Sequence, residues 1–503
     1  MILWPHCLVL GIAITRAIFA LCTCSAVGPA TLLLLASLAI SRDSAAADTT
    51  DPRPLSIEGY AGKVSYVAGD ELSLHVSTTA PTFTVEIARL GGQREVVFTD
   101  SEIAGRESPI PEDASSHGCG WPALLTLPVS AEWTSGYYEV TLRAEDRGGT
   151  YVARGRRTAE ASCFFIVRAA TPGARSKTLI QLSTNTYNAY SNWGGFSLYA
   201  YNGRAGVQGH RVSFHRPPAS QFPIWELPFV AWAEANGYSF DYAANEDLEF
   251  HPADLSAYKL VLSIGHDEYW SKPMRDHLEA FIAKGGNVAF FSGNTCCWQV
   301  RSEDDGSALT CWKQRFVMDP VYPAGDHTLL STLWSHHLVA NPENRLTGVG
   351  FLHGGYHRSH GQFMDGKGSY TVHRPEHWLF AGTGLERGAE FGAQDTIAGY
   401  ECDGCEFEIK DGLPVATHRD GTPEGFTILA SCPAKWHPDD AFFYDRFPRD
   451  RDGGVALGSA VLGSYTRGGT VVTVGSTDWA HGLRGKDPTV ERITKNVLDR
   501  LGR

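Results

Sequence analysis

The residues best suited to chemistry stand in three polar segments, each following an apolar run: T-N-T-Y-N-A-Y-S-N-W-G-G-F-S-L-Y over 184–199, G-H-D-E-Y-W-S over 265–271, and S-G-N-T-C-C-W-Q-V-R over 292–301. His266 and Glu268 are two positions apart, so an extended backbone would turn both side chains to one side. A carboxylate that binds a metal or a proton would then sit beside an imidazole that orients a polar substrate; a salt bridge in a turn is the competing reading. Asn294 can hold an amide carbonyl or a water through its two-ended amide, or it can cap a turn. Tyr187, Tyr190 and Tyr199, with Trp193, either fill a core or define a pocket and supply phenolate ligands. One carboxylate with two phenolates would offer three hard anionic oxygens, which suit a trivalent cation. A phenol of pKa near ~10 is deprotonated at neutral pH only if the metal compensates. Spacing alone does not select that site.

Holding these segments together requires a scaffold, and the sequence outlines one. KTLIQLS, YKLVLSIG, GGNVAFFSG and GGTVVTVGS are short apolar strands, each running into Gly, Ser, Thr or Asn. Between the second and third, Ser271 and Pro273 open an amphipathic helix, M-R-D-H-L-E-A-F-I-A-K, that Gly285 and Gly286 close. That reads as a β-α-β unit of an α/β domain with a mostly parallel sheet over 173–503, whose ligands gather beyond the strand C-termini. The polar segments themselves read as loops. Ahead of it, period-two patterns in G-Y-A-G-K-V-S-Y-V-A-G-D-E-L-S-L-H-V, S-G-Y-Y-E-V-T-L-R and S-C-F-F-I-V predict an antiparallel β-sandwich over 51–172, ending near Ala170–Gly173. Residues 1–50 are apolar around Arg16 and end in small residues, as a targeting segment does. This predicts export, with the segment either removed as a signal or retained as a membrane anchor; an over-extended start is the third reading.

The bulk numbers bound the function classes. With 503 residues and 43% hydrophobic positions, the chain can bury large cores without a metal or disulfide. A net charge of -13 disfavours a general nucleic-acid surface, which needs Lys and Arg to displace counterions. Eight cysteines lie beyond the apolar segment; C-D-G-C at Cys402 and Cys405 lacks the further ligands that a zinc site needs, so disulfides or inert thiols are expected.

Taken together, the three polar segments and G-Y-E-C-D-G at 399–404 resemble the large subunit of N,N-dimethylformamidase. The resemblance takes in S-G-Y-Y-E-V-T-L-R at 135–143 and extends to G-S-T-D-W-A-H-G-L at 475–483. It implies one mononuclear Fe(III) held by two tyrosines and a glutamate, in an enzyme that hydrolyses the C–N bond of a small amide. On that implication Glu268 is the carboxylate ligand, with Tyr190 and Tyr138 the tyrosine ligands; Tyr187 and Tyr199 are the fallbacks for Tyr138. His266 and Asn294 become polar active-site residues, and Glu401 the general base. The family also uses a small partner subunit, and a homo-oligomer is compatible with the sequence. The alternative class is a non-catalytic exported protein that binds a carbohydrate or small ligand on the same aromatic, amide-rich loops.

Overall fold

Alternating burial shapes the early strands Glu71–Thr78 and Thr82–Leu90. In Glu71–Thr78 every second side chain is buried, and Thr82–Leu90 alternates as far as Ile87 before shifting phase at Ala88, which turns Leu72, Leu74, Val76, Val85 and Ile87 inward. The computed structural model describes residues 54–146, 157–359, 362–363, 367–436 and 457–503; the apolar segment read as a targeting sequence lies outside them. Ile57–Ala61, Glu71–Thr78 and Ala123–Pro128 form a three-stranded antiparallel sheet. A five-stranded sheet follows the order Ser65–Tyr66, Arg157–Val167, Gly136–Asp146, Thr82–Leu90, Arg94–Ala104, antiparallel except for its first pair. The inner faces share one core, including Leu74, Ile87, Val140, Leu142 and Phe165, as the layers of a sandwich do.

The rest of the described chain is organised on a nine-stranded sheet. Its order is Asp241–Ala244, Thr178–Leu182, Leu260–His266, Asn287–Gly293, Gly469–Thr473, Leu457–Arg467, Thr427–Lys435, Tyr370–Val372, Glu390–Phe391. The first four pairings are parallel and the next four antiparallel. The sheet is therefore mixed, and the expectation of a mostly parallel one is corrected. The apolar run G-G-T-V-V-T-V is the return arm of a hairpin, with Gly468 at the turn in the left-handed region (φ 85°). Apolar composition marks a strand that is covered on both faces but does not fix its direction. Among the described residues the chain is mostly sheet, with several smaller sheets and few helices.

The predicted β-α-β unit forms. Leu260–His266 and Asn287–Gly293 pair in parallel around the helix Lys272–Ala283, whose N-cap Ser271 accepts a hydrogen bond from the Met274 amide at 3.3 Å. The helix buries Met274, Leu278, Phe281 and Ile282 on one face of the sheet, each contributing roughly 1.5–3 kcal/mol. On the other face Pro488–Leu501 buries Val490, Ile493, Val497, Leu498 and Leu501. The sandwich is tied to this layer by Arg89, which donates to Glu234 at 2.6 and 3.3 Å, while the Gly92 amide donates to the same carboxylate.

All eight described cysteines are free and buried. Burial pushes the Cys402 and Cys405 thiols well above the usual range, which disfavours the reactive thiolate at C-D-G-C. Among the described residues no helix is long and apolar enough to cross a membrane.

Candidate active site

The sheet delivers its chemistry at the end of Leu260–His266. Gly265 holds φ 76°, and a Cβ there would come within 2.3 Å of the Trp225 Cβ, so only glycine lets the strand pass beneath that ring. Beyond it His266 and Glu268 lie on one side, as their spacing suggested: His266 Nε2 is 3.3 Å from Glu268 Oε2. The same nitrogen is 2.8 Å from Glu401 Oε2, so one imidazole bridges two buried carboxyl groups.

Segment 184–199 is less loop-like than its composition suggested. Thr184–Tyr190 is a helix, and the chain then turns so that the Leu198 amide donates to the Ala189 carbonyl. That return brings Tyr199 back over Tyr190, with ring centroids 4.4 Å apart. The Tyr190 hydroxyl donates to Glu268 Oε2 at 2.9 Å; the Tyr199 hydroxyl lies 2.7 and 2.9 Å from the two Glu268 oxygens and 2.8 Å from the Tyr190 hydroxyl. Two phenols thus converge on one carboxylate, which also accepts from the Trp298 indole at 2.7 Å.

Tyr138 is not part of this cluster. Alternation along Gly136–Asp146 turns its ring into the sandwich, stacked on Trp133 and Phe165, and its hydroxyl donates to the Thr134 carbonyl at 2.6 Å. Tyr187 points elsewhere too, donating to the buried carboxyl of Glu226. Of the tyrosines considered from sequence, the fold brings Tyr190 and Tyr199 to Glu268.

Asn294 and Glu401 arrive on neighbouring turns. Asn294 takes a left-handed backbone (φ 50°), and its amide and that of Thr295 each donate to Asp403 at 3.0 Å. Gly293 has to be glycine, because a Cβ would meet the Thr477 amide nitrogen at 2.5 Å and the Glu401 carbonyl at 2.6 Å. This close approach sets the Asn294 side chain against Glu401, with its carbonyl oxygen buried and without a protein partner.

The charges are set by burial and by these contacts. Burial alone would lower His266, but Glu401 and Glu268 outweigh it and raise the imidazole to about 10. Burial works to raise Glu268, yet His266 and the groups around it hold that carboxyl below its ordinary range. For Glu401 burial wins, and its pKa goes up despite His266. Burial, reinforced by Glu268, keeps both phenols well above their usual range.

Sequence reasoning missed Lys313. Its ammonium is buried, has no hydrogen-bond partner, and lies 3.3 Å from the centroid of the Tyr199 ring, with Trp298 and Tyr269 on its other sides. Burial pushes it down to about 8. A lone lysine in C-W-K carries no signal of this; only Tyr199 folding back reveals it. Trp225, Tyr400 and Tyr190 ring His266 at centroid distances of 6.2, 6.2 and 5.4 Å and give the cluster an aromatic wall. A groove of about 980 Å³ lined by Asn344, Arg345, His353, His418 and Arg419 includes none of these groups.

The donor set fits a hard cation. Among the described residues no group of three or more His, Cys, Asp or Glu could hold a metal ion, so a cation here would draw on the phenols. Two phenol oxygens and a carboxylate within 2.9 Å of one another offer three oxygen donors.

The model of the family described as N,N-dimethylformamidase beta subunit-like, C-terminal, matches residues 84–493. The N,N-dimethylformamidase beta subunit of an Alcaligenes species is 24% identical over 435 residues, which covers 76% of this chain and 54% of that protein. The corresponding subunit of Paracoccus aminophilus is 29% identical over 133 residues, covering 24% of this chain and 18% of that protein. The chain thus spans about half the length of the first relative.

Proposed function

The chain belongs to the N,N-dimethylformamidase beta subunit-like family, and from that premise we propose that it hydrolyses the C–N bond of a small, uncharged amide at the cluster around Glu268. The observation that carries this reading is the convergence of the Tyr190 and Tyr199 phenols on Glu268, beside the His266–Glu401 pair. Tyr190, Tyr199 and Glu268 are the ligands we assign to one ferric ion, with Tyr199 taking the place given to Tyr138 from sequence. Such an ion would supply Lewis acidity to an amide carbonyl or a water.

The chain's own groups have separate tasks in this scheme. Glu401, its carboxyl raised by burial, takes a proton from water as the water oxygen bonds to the carbonyl carbon. As the C–N bond breaks, its electron pair leaves on nitrogen, and Glu401 returns the proton there. His266 Nε2 holds the carboxyl oxygen in place at 2.8 Å. The unpartnered oxygen of Asn294 is available to an N–H or to water. Lys313 places a positive charge against the face of Tyr199, favouring its phenolate form. Trp225 and Tyr400 offer an apolar wall to the substituents of the amide nitrogen. No observation of its own favours the non-catalytic binding reading. The relatives carry the name of a subunit, which supports a partner chain here too, and the apolar sequence ahead of residue 50 supports export.

The test separates metal from chemistry. Glu401→Gln should lower turnover of small amides by about 100-fold or more while iron content stays near that of the parent. Equal turnover in the variant, or undiminished hydrolysis by metal-free protein, would reject the mechanism.

A further inference from the structure

Gln221 is the N-cap residue of the short helix Phe222–Trp225, and its side-chain oxygen lies between two ring nitrogens. One is the indole Nε1 of Trp225 at 3.2 Å, the other His266 Nδ1 at 3.3 Å. An indole N–H only donates. The Gln221 atom that meets it must therefore be the carbonyl oxygen, and Trp225 settles an amide orientation that a lone glutamine would leave to its network. That oxygen only accepts, so the nitrogen His266 turns to it is an N–H, and Nε2 is left facing Glu268 and Glu401 at 3.3 and 2.8 Å. Trp225 is itself anchored: its ring stacks on Tyr400 and His481 with centroids 6.1 and 5.9 Å apart, and Gly265 passes close beneath it.

We propose that Gln221, oriented by the Trp225 indole, is the positioning residue that fixes the His266 ring with Nε2 toward the two carboxyl groups and Nδ1–H turned away from the reacting atoms. The inference rests on the hydrolase reading above for its consequence in turnover, and on the hydrogen bonds alone for its geometry. Without the Gln221 acceptor the imidazole keeps its carboxylate partners on one edge only. It can then tilt or flip, and Glu401 loses its fixed 2.8 Å contact with Nε2 at the moment it must take and return a proton. Partners of this kind behind an active group are worth about 10- to 100-fold in activity when removed.

Gln221→Met keeps the side-chain length and removes the strong acceptor, whereas Trp225→Phe keeps a stacking ring and removes the indole donor. Gln221→Met should lower kcat about 10- to 100-fold with KM changed by less than about threefold, because the substrate wall stays. A second readout needs no activity. In protein labelled with 15N-histidine and prepared with gallium in place of iron, the His266 Nδ1–H should give a downfield signal protected from water. That signal, identified by its loss in His266→Asn, should disappear or exchange with water in Gln221→Met. A protected signal that survives Gln221→Met, or a kcat within twofold of the parent, would overturn the proposal. If the parent hydrolyses no amide, the hydrolase reading fails while the nitrogen signal still decides the positioning. If Gln221→Met does not fold, Trp225→Phe carries the same spectral test, with a weakened or shifted signal expected and an unchanged one ruling the positioning out.

Discussion

Glu268 is the residue on which the cluster turns, since four side chains aim hydrogen-bonding groups at its two oxygens. Glu268→Gln keeps the volume and removes the anionic donor, so iron per chain, measured by atomic spectrometry, should fall to a small fraction of the parent's. Normal occupancy in that variant would remove Glu268 from the ligand set. The tyrosines separate in the same way. Tyr190→Phe and Tyr199→Phe should each weaken or shift the visible ferric–phenolate absorption. Tyr138→Phe should leave that band alone and lose only the bond to the Thr134 carbonyl, a cost of about 1 kcal/mol in denaturant unfolding. A band altered by Tyr138→Phe and untouched by Tyr199→Phe would reverse the assignment.

At the scale of elements, the 3-10 turn Trp378–Phe380 carries a pH dependence that the catalytic cluster does not complicate. His377 caps that turn by accepting from the Leu379 amide, and its other nitrogen faces the Ser464 hydroxyl. Burial, with Arg500 adding to it, pushes His377 down to about 4. Unfolded histidines titrate near ~6.5, so below that pH the unfolded chain takes up a proton that the folded chain refuses. The contribution is therefore complete above about pH 6.5, declines as the pH falls, and levels off near the folded pKa of about 4. Its size is on the order of 1–2 kcal/mol, because solvent screens a half-buried ring. His377→Gln keeps a capping oxygen and should flatten this part of the pH profile in urea unfolding; parallel profiles for parent and variant would refute the assignment.

For the whole molecule, the relevant fact is that every donor assigned to the metal comes from one chain, from Thr184–Tyr190, its returning turn, and the end of Leu260–His266. All three oxygens lie on Tyr190, Tyr199 and Glu268 of this chain. The chain purified by itself should therefore bind about one iron per chain, and adding a partner should change turnover and leave iron stoichiometry as it was. A chain that takes up iron only in the presence of a second subunit would show that the donor set is incomplete within it.

Much of the layout follows from local pattern. Period-two alternation marked the N-terminal strands, Ser271, Pro273 and Gly285 bracketed one helix, and the two-residue spacing of His266 and Glu268 placed both on one side, because each of these depends on a few consecutive residues. Three features depended on chain segments distant in sequence. Leu457–Arg467 runs antiparallel to both of its neighbours in the central sheet, Thr427–Lys435 and Gly469–Thr473, since hydrogen-bond partners and not composition decide strand direction. Tyr138 and Tyr190 look alike as residues, but the inward face of the sandwich claims one, while a helix and a turn carry the other, with Tyr199, to Glu268. Lys313 and Gln221 carry no local signal at all: a buried ammonium against a ring and an amide oxygen shared by two rings exist only where separate loops meet. The sequence by itself determined the main apolar strands and which segments bear chemistry, because apolar pattern and residue type are local, while the helix Thr184–Tyr190 and the strands Tyr269–Ser271 and Trp298–Glu303 inside the polar segments were not legible in it. Only the tertiary structure decided which of those residues share a site, because that is set by where the sheet brings its strand ends together.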